Sequence, residues 1–388
     1  MSHSHASPLL GRPVTITGLG TYVPEKVVTN DDLAAHLDTS DEWIKQRTGI
    51  GARRRAAPDE ASSDLGTRAA QEALADAGVD AGAIDLVITA TVSPDHLTPA
   101  TAARVAYNCG CVNAGAFDLS AGCAGFVFGL SMATGTIATG IREKVLVVGS
   151  ETFSRVIDWD DRSTAILFGD GAGAAVVSVV ESDGAAGGAA GATGATGTAG
   201  RPATGILGFD LGGDGSGADA LIIPAGGSRL PASCETVANR QHFLQMNGKE
   251  VYKFATRIVT TSAKKVLDRC GYEVDDIDLF VPHQANLRII EGAVDKLGLP
   301  REKVYTNLQK YGNTSSASIP LCLTEARAEG RLKDGDLVLL MGFGAGLSWG
   351  ACLMRWGMGA GGGSLRRRDP GSIQNEDTPP GRDGRGRG

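Results

Sequence analysis

Residues 73–78 of the chain read ALADAG, and IDLV follows at 84–87. The chain repeats this pattern 193 residues later, counting from 73 to 266, with VLDRCG at 266–271 and IDLF at 277–280. A leucine, a glycine and the Ile-Asp-Leu triplet keep the same register in both copies. Self-similarity at so long a period indicates a duplicated domain and not a solenoid of short repeats.

A third pair of segments obeys the same shift, since VLVVG at 145–149 corresponds to VLLMG at 338–342. Each copy combines a helix, a buried strand, a second helix and another apolar strand, which is typical of the α/β class. We predict two α/β halves, at 13–182 and 218–356. In such folds the active site forms where strand ends of both halves meet.

Three stretches fall outside these halves. Residues 183–205 consist almost entirely of Gly, Ala and Thr, with too few bulky apolar side chains to form a core. We interpret 183–217 as a flexible insertion and 1–12 as a flexible N-terminus. The Gly-, Arg- and Pro-rich segment 357–388 is expected to be a disordered tail.

Composition disfavours several classes of function. A net charge of −7 over 388 residues argues against general binding of nucleic acids. No apolar run approaches the roughly 18 residues of a membrane span, and the first residues lack the apolar segment of a secretory signal. Seven cysteines without a CxxC pair fit a reducing compartment and disfavour a zinc site. We therefore expect a cytoplasmic protein without a bound metal.

Cys123 is the strongest candidate nucleophile. It lies in AFDLSAGCAGF at 116–126, where a strand-like run ends in small residues and a helical pattern begins. Free N–H groups and the helix dipole at such a corner favour the thiolate, the reactive form of cysteine. Most free cysteines are buried small hydrophobes, and the other six lack a comparable setting.

Two further residues are candidate partners of this cysteine. His283 follows a strand-like segment, and α/β enzymes place their chemistry at such strand ends. Asn313 lies in YGNTSSAS at 311–318, where Ser316 is the equivalent of Cys123 under the 193-residue shift. We therefore expect the corner that carries Asn313 to face Cys123.

Cysteine, histidine and asparagine together support two chemistries. A papain-like hydrolase uses the histidine as base and the asparagine to orient it. This chain lacks the hydrolase's local signature around the cysteine, and its duplicated layout differs. The alternative is carbon–carbon bond formation on thioesters. There the cysteine takes an acyl group, while neutral histidine and asparagine donors stabilise a thioester enolate.

The chain resembles β-ketoacyl-acyl-carrier-protein synthase III of the thiolase-like superfamily over residues 13–356. The matching segments are TSDEWI at 39–44, RTGI at 47–50, DLSAGCAGF at 118–126, FGDGAGA at 168–174, HQAN at 283–286, GNTS at 312–315 and GFGAGLSWG at 342–350. The resemblance implies a layered αβαβα core of two duplicated α/β halves. It also implies an acyl-CoA and malonyl-acyl-carrier-protein as substrates, no cofactor, and a homodimer.

The resemblance further implies a role for each catalytic residue. Cys123 would receive the acyl group from CoA. Malonyl-acyl-carrier-protein would then lose carbon dioxide while His283 and Asn313 hold its thioester oxygen, and the resulting carbanion would attack the acyl-cysteine. The main-chain N–H groups of Cys123 and Ala345 would form the oxyanion hole.

Other positions follow from the same resemblance. Substrate-binding roles are implied for Trp43, Arg47, Thr98, Arg162, Phe168 and Gly248, and contacts with the carrier protein for Lys253 and Arg288. Trp43 would stack on the adenine of CoA, with Arg162 on the other face. Thr98 stands where acetyl-specific relatives carry phenylalanine, on a loop that reaches the partner's acyl pocket. We therefore expect longer or branched acyl groups to be accepted.

Rival functions exist within the superfamily. They are an acyltransferase that works without condensation, a polyketide starter-unit enzyme and a non-catalytic partner subunit. Asn313 favours condensation, because simple acyl transfer needs no enolate-stabilising amide. The intact nucleophile disfavours the non-catalytic role.

Overall fold

The structure, a computed structural model, describes residues 11–180 and 204–357, together with the backbone of two short strands at 196–197 and 201–202. Residues 1–10, most of the expected insertion, and the tail from 358 onward lie outside the described residues. The helices are α1 (Asn30–Ala34), α2 (Asp41–Thr48), α3 (Ser62–Ala77), α4 (Thr101–Cys109), α5 (Gly125–Ala138), α6 (Arg162–Ala165), α7 (Cys234–Ala238), α8 (Gly248–Cys270), α9 (Leu287–Leu297), α10 (Leu308–Tyr311) and α11 (Ser318–Ala328). The strands are β1 (Val14–Tyr22), β2 (Lys26–Thr29), β3 (Ala52–Arg55), β4 (Leu86–Ala90), β5 (Gly115–Leu119), β6 (Lys144–Glu151), β7 (Gly171–Val179), β8 (Thr196–Gly197), β9 (Arg201–Pro202), β10 (Gly205–Gly213), β11 (Leu221–Ile222), β12 (Gln245–Met246), β13 (Leu279–Pro282), β14 (Leu337–Gly344) and β15 (Ser348–Arg355).

Two sheets form the centre of the molecule. The first has the order β1-β7-β6-β4-β5, and the second has the order β10-β15-β14-β13. In the first sheet β4 is parallel to both β5 and β6, while β7 runs antiparallel to β6 and β1. In the second sheet β13 is parallel to β14, and β15 runs antiparallel to β14 and β10.

The duplication holds at the level of individual elements. Strands β6 and β14 begin 193 residues apart, at 144 and 337, and helices α5 and α11 begin at the same shift, at 125 and 318. The halves differ at one edge, because the position of β5 is taken by the short helix α10 in the second half. The second sheet therefore has one strand fewer than the first.

Helices α5 and α11 pack between the two sheets, since each contacts strands of both. Helix α5 is built of apolar and small residues on all sides, which suits a helix that is buried along most of its length. Helices α3 and α4 cover the outer face of the first sheet, and α8 and α9 belong to the outer layer of the second. The layers thus follow the order αβαβα that the resemblance implies.

The expected domain boundary at 218 is wrong, because the second half begins at Gly205. The Gly-rich composition of this segment concealed β10, which pairs along the length of β15. Its Ile206 side chain is buried in the core, and Phe209 and Leu211 pack against that core. At the other end of the chain, Arg12 lies in the segment that is predicted to be a flexible N-terminus, 1–12. Its guanidinium donates to the Ile137 carbonyl at 2.7 Å.

Candidate active site

Cys123 lies in a 3₁₀ turn, Gly122–Ala124, between β5 and α5, and only 5% of its surface is exposed. Gly122 has φ +53°, and a Cβ there would lie 2.8 Å from the Ala345 nitrogen. A Cβ on Gly344 would lie 2.9 Å from the Cys123 sulfur. Two glycines therefore allow the turn between β14 and β15 to approach the nucleophile.

Asn313 lies between α10 and a second 3₁₀ turn, Ser315–Ala317, which precedes α11. Its main-chain N–H donates to the Leu167 carbonyl at 2.8 Å, and its own carbonyl accepts from the Gly169 N–H at 3.0 Å. The asparagine backbone is thus fixed to the segment that carries Phe168.

Ser315 connects the three predicted catalytic residues. Its N–H donates to Asn313 Oδ1 at 2.9 Å, and Ser315 lines the same cavity as Cys123. Its carbonyl accepts from Ser318 Oγ at 2.8 Å, and that oxygen lies 2.7 Å from His283 Nδ1. The structure therefore brings Cys123, His283 and Asn313 around one residue.

His283 is a neutral imidazole at ordinary pH. It follows β13, is 1% exposed, and stands edge-on to the Phe343 ring at 5.3 Å between centroids. Burial lowers its pKa to about 3, because the charged form loses its hydration. Within the described part of the chain, neither His283 Nε2 nor Asn313 Nδ2 makes a hydrogen bond, so both atoms can contact a ligand.

The oxyanion hole implied by the resemblance has a counterpart in the main chain. Among the described residues, the N–H groups of Cys123 and Ala345 donate to no backbone carbonyl. The Ser348 hydroxyl lies 2.7 Å from the Ala121 carbonyl and 2.8 Å from the Ala345 carbonyl. It thereby ties the turn between β14 and β15 to the turn that carries the nucleophile.

Burial of Cys123 opposes the thiolate that the helix terminus is expected to favour. Burial raises the pKa of the thiol to about 12. The hydrogen bond from the Ser315 hydroxyl lowers this pKa, the nearby Glu151 carboxylate raises it, and the cysteine's own N–H lowers it. The loss of hydration is the largest of these effects, and it favours the neutral thiol.

An apolar cavity of about 140 Å³ adjoins the sulfur of Cys123. The side chains around it include Phe153, Phe168, Leu221, Ile223 and Leu244. Phe168 is fixed by stacking on Phe153, with the ring centroids 4.8 Å apart. A larger cavity of about 630 Å³ shares Val92, Gly122 and Ala345 with the first.

The residues expected to bind adenine form a closed stack. The Arg162 guanidinium lies 4.9 Å from the centre of the Trp43 ring, and that of Arg47 lies 5.4 Å away. Arg162 also donates to the Asp38 carbonyl at 2.5 Å. The predicted slot between Trp43 and Arg162 is therefore filled by Arg162 itself, and an adenine can enter only when this arginine moves.

The remaining predicted residues lie on the surface. Gly248 begins α8, and Lys253 follows on the same helix, both of them exposed. Arg288 is exposed in the first turn of α9, and its Nε donates to the Gln46 carbonyl at 3.0 Å. Thr98 is exposed and lines neither cavity within its own chain.

Sequence reasoning missed Ser315, Ser318, Glu151 and Gly344. Glu151 is fully buried at the end of β6 and accepts hydrogen bonds from Ser315 Oγ and Ser316 Oγ, each at 3.0 Å. One signal was available for Ser315, because the 193-residue shift maps Gly122 onto it and both have positive φ. The sequence carried no comparable signal for the other three residues.

Comparison with known proteins gives a consistent result. The family model described as 3-oxoacyl-[acyl-carrier-protein (ACP)] synthase III matches residues 117–197, and the model of its C-terminal part matches 267–356. The β-ketoacyl-[acyl-carrier-protein] synthase III of Symbiobacterium thermophilum is 55% identical over 89% of this chain and 99% of its own length. The protein of the same name from Caldanaerobacter subterraneus is 49% identical over 88% and 97%.

Solved structures give the same result for the fold. The synthase III of Thermus thermophilus is 46% identical, with a TM-score of 0.77, and the match covers 88% of this chain and 99% of that one. The priming β-ketosynthase of the R1128 polyketide pathway is 38% identical, also with a TM-score of 0.77. This match covers 89% of the present chain and 97% of the ketosynthase. The predicted thiolase-like fold is therefore confirmed.

The buried imidazole should make stability depend on pH. The histidine has a pKa of about 6.5 in the unfolded chain and about 3 in the folded protein. Between these two pH values the unfolded chain binds a proton at this residue and the folded protein does not. The free energy of unfolding therefore falls as the pH is lowered. Between pH 7 and pH 5 we expect this one group to cost about 2 kcal/mol. Urea denaturation at both pH values measures this loss in the wild type and in His283→Asn. The variant should lose less unfolding free energy than the wild type between pH 7 and pH 5. The exposed His36 supplies the control, since His36→Asn should behave like the wild type. Equal losses in the wild type and His283→Asn would contradict the assignment.

Proposed function

The chain belongs to the β-ketoacyl-[acyl-carrier-protein] synthase III family of condensing acyltransferases, and we propose that it joins an acyl group from an acyl-CoA to malonyl-acyl-carrier-protein. The products are a 3-oxoacyl-acyl-carrier-protein, CoA and carbon dioxide, the first condensation of a fatty-acid or polyketide chain. The observation that carries this proposal is that a buried thiol, a neutral imidazole and an amide lie around Ser315.

In the first half-reaction the Cys123 sulfur attacks the thioester carbonyl of the acyl-CoA. The main-chain N–H groups of Cys123 and Ala345 stabilise the tetrahedral oxyanion, and CoA departs as the thiol. Donors fixed in place before the reaction lower the barrier, because they need no reorganisation when the charge develops.

In the second half-reaction the malonyl thioester loses carbon dioxide, and its oxygen becomes an enolate. Asn313 Nδ2 and His283 Nε2 donate to that oxygen. Ser318 has one hydroxyl proton and two neighbouring acceptors, the Ser315 carbonyl and His283 Nδ1. When the Ser318 hydroxyl donates its hydrogen bond to Nδ1, the ring proton of His283 is on Nε2, and Nε2 is then a donor. The carbanion then attacks the acyl group on Cys123.

The cavity beside Cys123 supports an acyl group larger than acetyl. An apolar cavity of about 150 Å³ holds a benzene molecule, and the cavity here measures about 140 Å³. It therefore has room for an acyl group of about six carbons. We infer that branched and medium-length acyl-CoA substrates are used.

We infer that the protein is a homodimer that pairs through β5. This strand is an edge of the first sheet, and the large side chain of Phe117 is 40% exposed in its middle. Leu97, Tyr107 and Val112, on or near α4 and β5, are each more than four-fifths exposed. A free strand edge beside exposed apolar side chains is the kind of surface that pairs with a second copy.

We also infer a cytoplasmic location and no resident cofactor. All seven cysteines are free thiols, in keeping with a reducing compartment. None of the described helices combines the length and apolar character that crossing a membrane requires. In the proposed chemistry His283, Asn313 and main-chain amides stabilise the negative charge that develops on the thioester oxygens. No cofactor is required for this.

Replacement of Asn313 separates the two half-reactions. We expect Asn313→Ala to keep acylation of Cys123 and to lower carbon dioxide release from malonyl-acyl-carrier-protein about 100-fold or more, because one enolate donor is lost. Intact mass after incubation with acyl-CoA measures the first step, and labelled carbon dioxide measures the second. Asn239→Ala, at an exposed position, is the control. Loss of acylation in Asn313→Ala would contradict the assigned role. A wild type that is acylated but releases no carbon dioxide would favour plain acyl transfer.

The loop that carries Thr98 should set the acyl range. With the wild type we expect branched four- and five-carbon acyl-CoA substrates to be used at least as well as acetyl-CoA. Thr98→Phe should shift preference to acetyl, because a bulky ring would occupy the partner's cavity. Competition among acyl-CoA substrates, read as the mass of the adduct on Cys123, measures this preference. An acetyl preference in both proteins would rule the idea out.

A charge at the centre of the β5 edge should separate the dimer. Phe117→Glu should sediment as a monomer at a concentration where the wild type sediments at twice that mass, since a buried unpaired carboxylate opposes pairing. Val237→Glu, which charges an exposed apolar position on α7, should leave the dimer intact. A wild type that sediments as a monomer would refute the proposed interface.

A further inference from the structure

We propose that Gln284 is a positioning residue, which holds Asn313 at the distance from His283 that a shared enolate oxygen requires. The inference rests on the proposed function, because this distance matters only for the second half-reaction. Gln284 follows the histidine directly, and its side chain is fully buried. A buried carboxamide is unfavourable unless its polar atoms are paired, so its partners indicate its role.

The carboxamide of Gln284 connects the end of β13 with the beginning of α10. Its Nε2 donates to the Pro282 carbonyl at 2.7 Å and to the Tyr305 carbonyl at 3.4 Å. Its Oε1 accepts from the main-chain N–H groups of Asn307 and Leu308, at 3.1 Å and 3.4 Å. All four partners are main-chain groups with fixed roles as donor or acceptor, so they determine the orientation of the amide.

Helix α10 obtains its N-terminal cap from this side chain. The first N–H groups of a helix have no partner within the helix. Asn307 stands at the N-cap position, but its side chain makes no capping hydrogen bond, and its Nδ2 donates to Glu325 Oε2 at 3.0 Å. Gln284 therefore supplies, from the strand that precedes it, the acceptor that an N-cap residue would otherwise supply.

The edge of the second sheet explains why a side chain makes this connection. In the first half, β5 pairs with β4 through main-chain hydrogen bonds and leads directly to the turn of Cys123. In the second half, α10 takes the place of β5. Within the described chain, the outer edge of β13 keeps only an isolated bridge, between Phe280 and Val304. The Gln284 carboxamide continues this edge beyond the point where main-chain pairing ends.

The two ends of α10 relate the asparagine to the histidine. The first turn of the helix is held by Gln284, next to His283 in the chain. At the last turn the Gly312 N–H donates to the Leu308 carbonyl at 2.9 Å, and Asn313 follows. The main-chain hydrogen bonds of Asn313 itself reach the first half of the chain, whereas Gln284 connects α10 to the strand that carries the histidine.

A displacement of α10 should act on one half-reaction only. His283 Nε2 and Asn313 Nδ2 must both reach the same enolate oxygen, and a misplacement of about 1 Å can slow a reaction about 100-fold. Acylation uses Cys123 and the Ala345 N–H, which lie on other turns. The burial of Gln284 also excludes a direct contact between its side chain and the carrier protein.

Gln284→Met tests this role, because methionine keeps the length of the side chain and removes both hydrogen-bonding groups. We expect acylation of Cys123 at the wild-type rate, and a kcat for carbon dioxide release from malonyl-acyl-carrier-protein that is lower by about 10-fold or more. The KM for the carrier-bound substrate should not change, whereas loss of a carrier contact would raise it. Gln309→Met, at an exposed position of the same helix, should behave like the wild type.

A double-mutant cycle with Asn313→Ala separates positioning from general damage. Because Gln284 acts through the Asn313 amide, Gln284→Met should slow decarboxylation by less than about threefold when Asn313→Ala is already present. A structural defect would lower the rate by the same factor in both backgrounds. Equal factors, or a wild-type rate of decarboxylation in Gln284→Met, would overturn the proposal.

Gln284→Glu provides a second test that does not depend on the folding of Gln284→Met. At pH 6 the carboxyl is protonated, since burial favours the neutral form, and it can donate to the Pro282 carbonyl and accept from α10 as the amide does. At pH 9 the ionised carboxylate cannot donate. Relative to the wild type at the same pH, decarboxylation should be unchanged at pH 6 and about 10-fold slower at pH 9, with acylation unchanged at both. The same relative rate of decarboxylation at both pH values would overturn the role of Gln284. A wild type that releases no carbon dioxide from malonyl-acyl-carrier-protein would refute the proposed function instead.

Discussion

The active site depends on the left-handed turn at Ser315. In that conformation the serine N–H donates to the Asn313 side chain, the hydroxyl donates to Glu151, and the carbonyl contacts Ser318 and through it His283. An ordinary helical or extended backbone would not direct these three groups to three different partners. The strain is offset by the hydrogen bonds that surround the turn, as is usual for functional sites.

Close approach of the two halves is the second requirement. Gly122 and Gly344 leave no Cβ between the nucleophile turn and the turn after β14, so Ala345 can lie beside Cys123. The pseudo-symmetry then relates the turn at Cys123 in the first half to the turn at Ser315 and Ser316 in the second half. The first half supplies Cys123, the proposed nucleophile, and the equivalent turn of the second half supplies Ser315, whose N–H donates to the Asn313 side chain. Duplication thus produced two similar turns that acquired different functions.

Burial decides the charge states in this site. Loss of hydration keeps His283 neutral and raises the pKa of the Cys123 thiol. In the proposed reaction a neutral imidazole suits the enolate, because its N–H donates a hydrogen bond to the enolate oxygen.

The sequence by itself determined the duplicated α/β fold and singled out Cys123, His283 and Asn313 as the proposed catalytic residues. A constant shift between repeats and local strand-to-helix signatures are properties of neighbouring residues, which a sequence displays. The start of the second half at Gly205 was concealed, because glycine-rich composition does not reveal a strand that is stabilised by pairing with β15. The protonation of Cys123, the closed stack of Trp43 and Arg162, and the link through Ser315 and Glu151 were decided only by the tertiary structure. Each of these depends on which distant groups exclude water or donate a hydrogen bond, and only the folded chain fixes those groups in space.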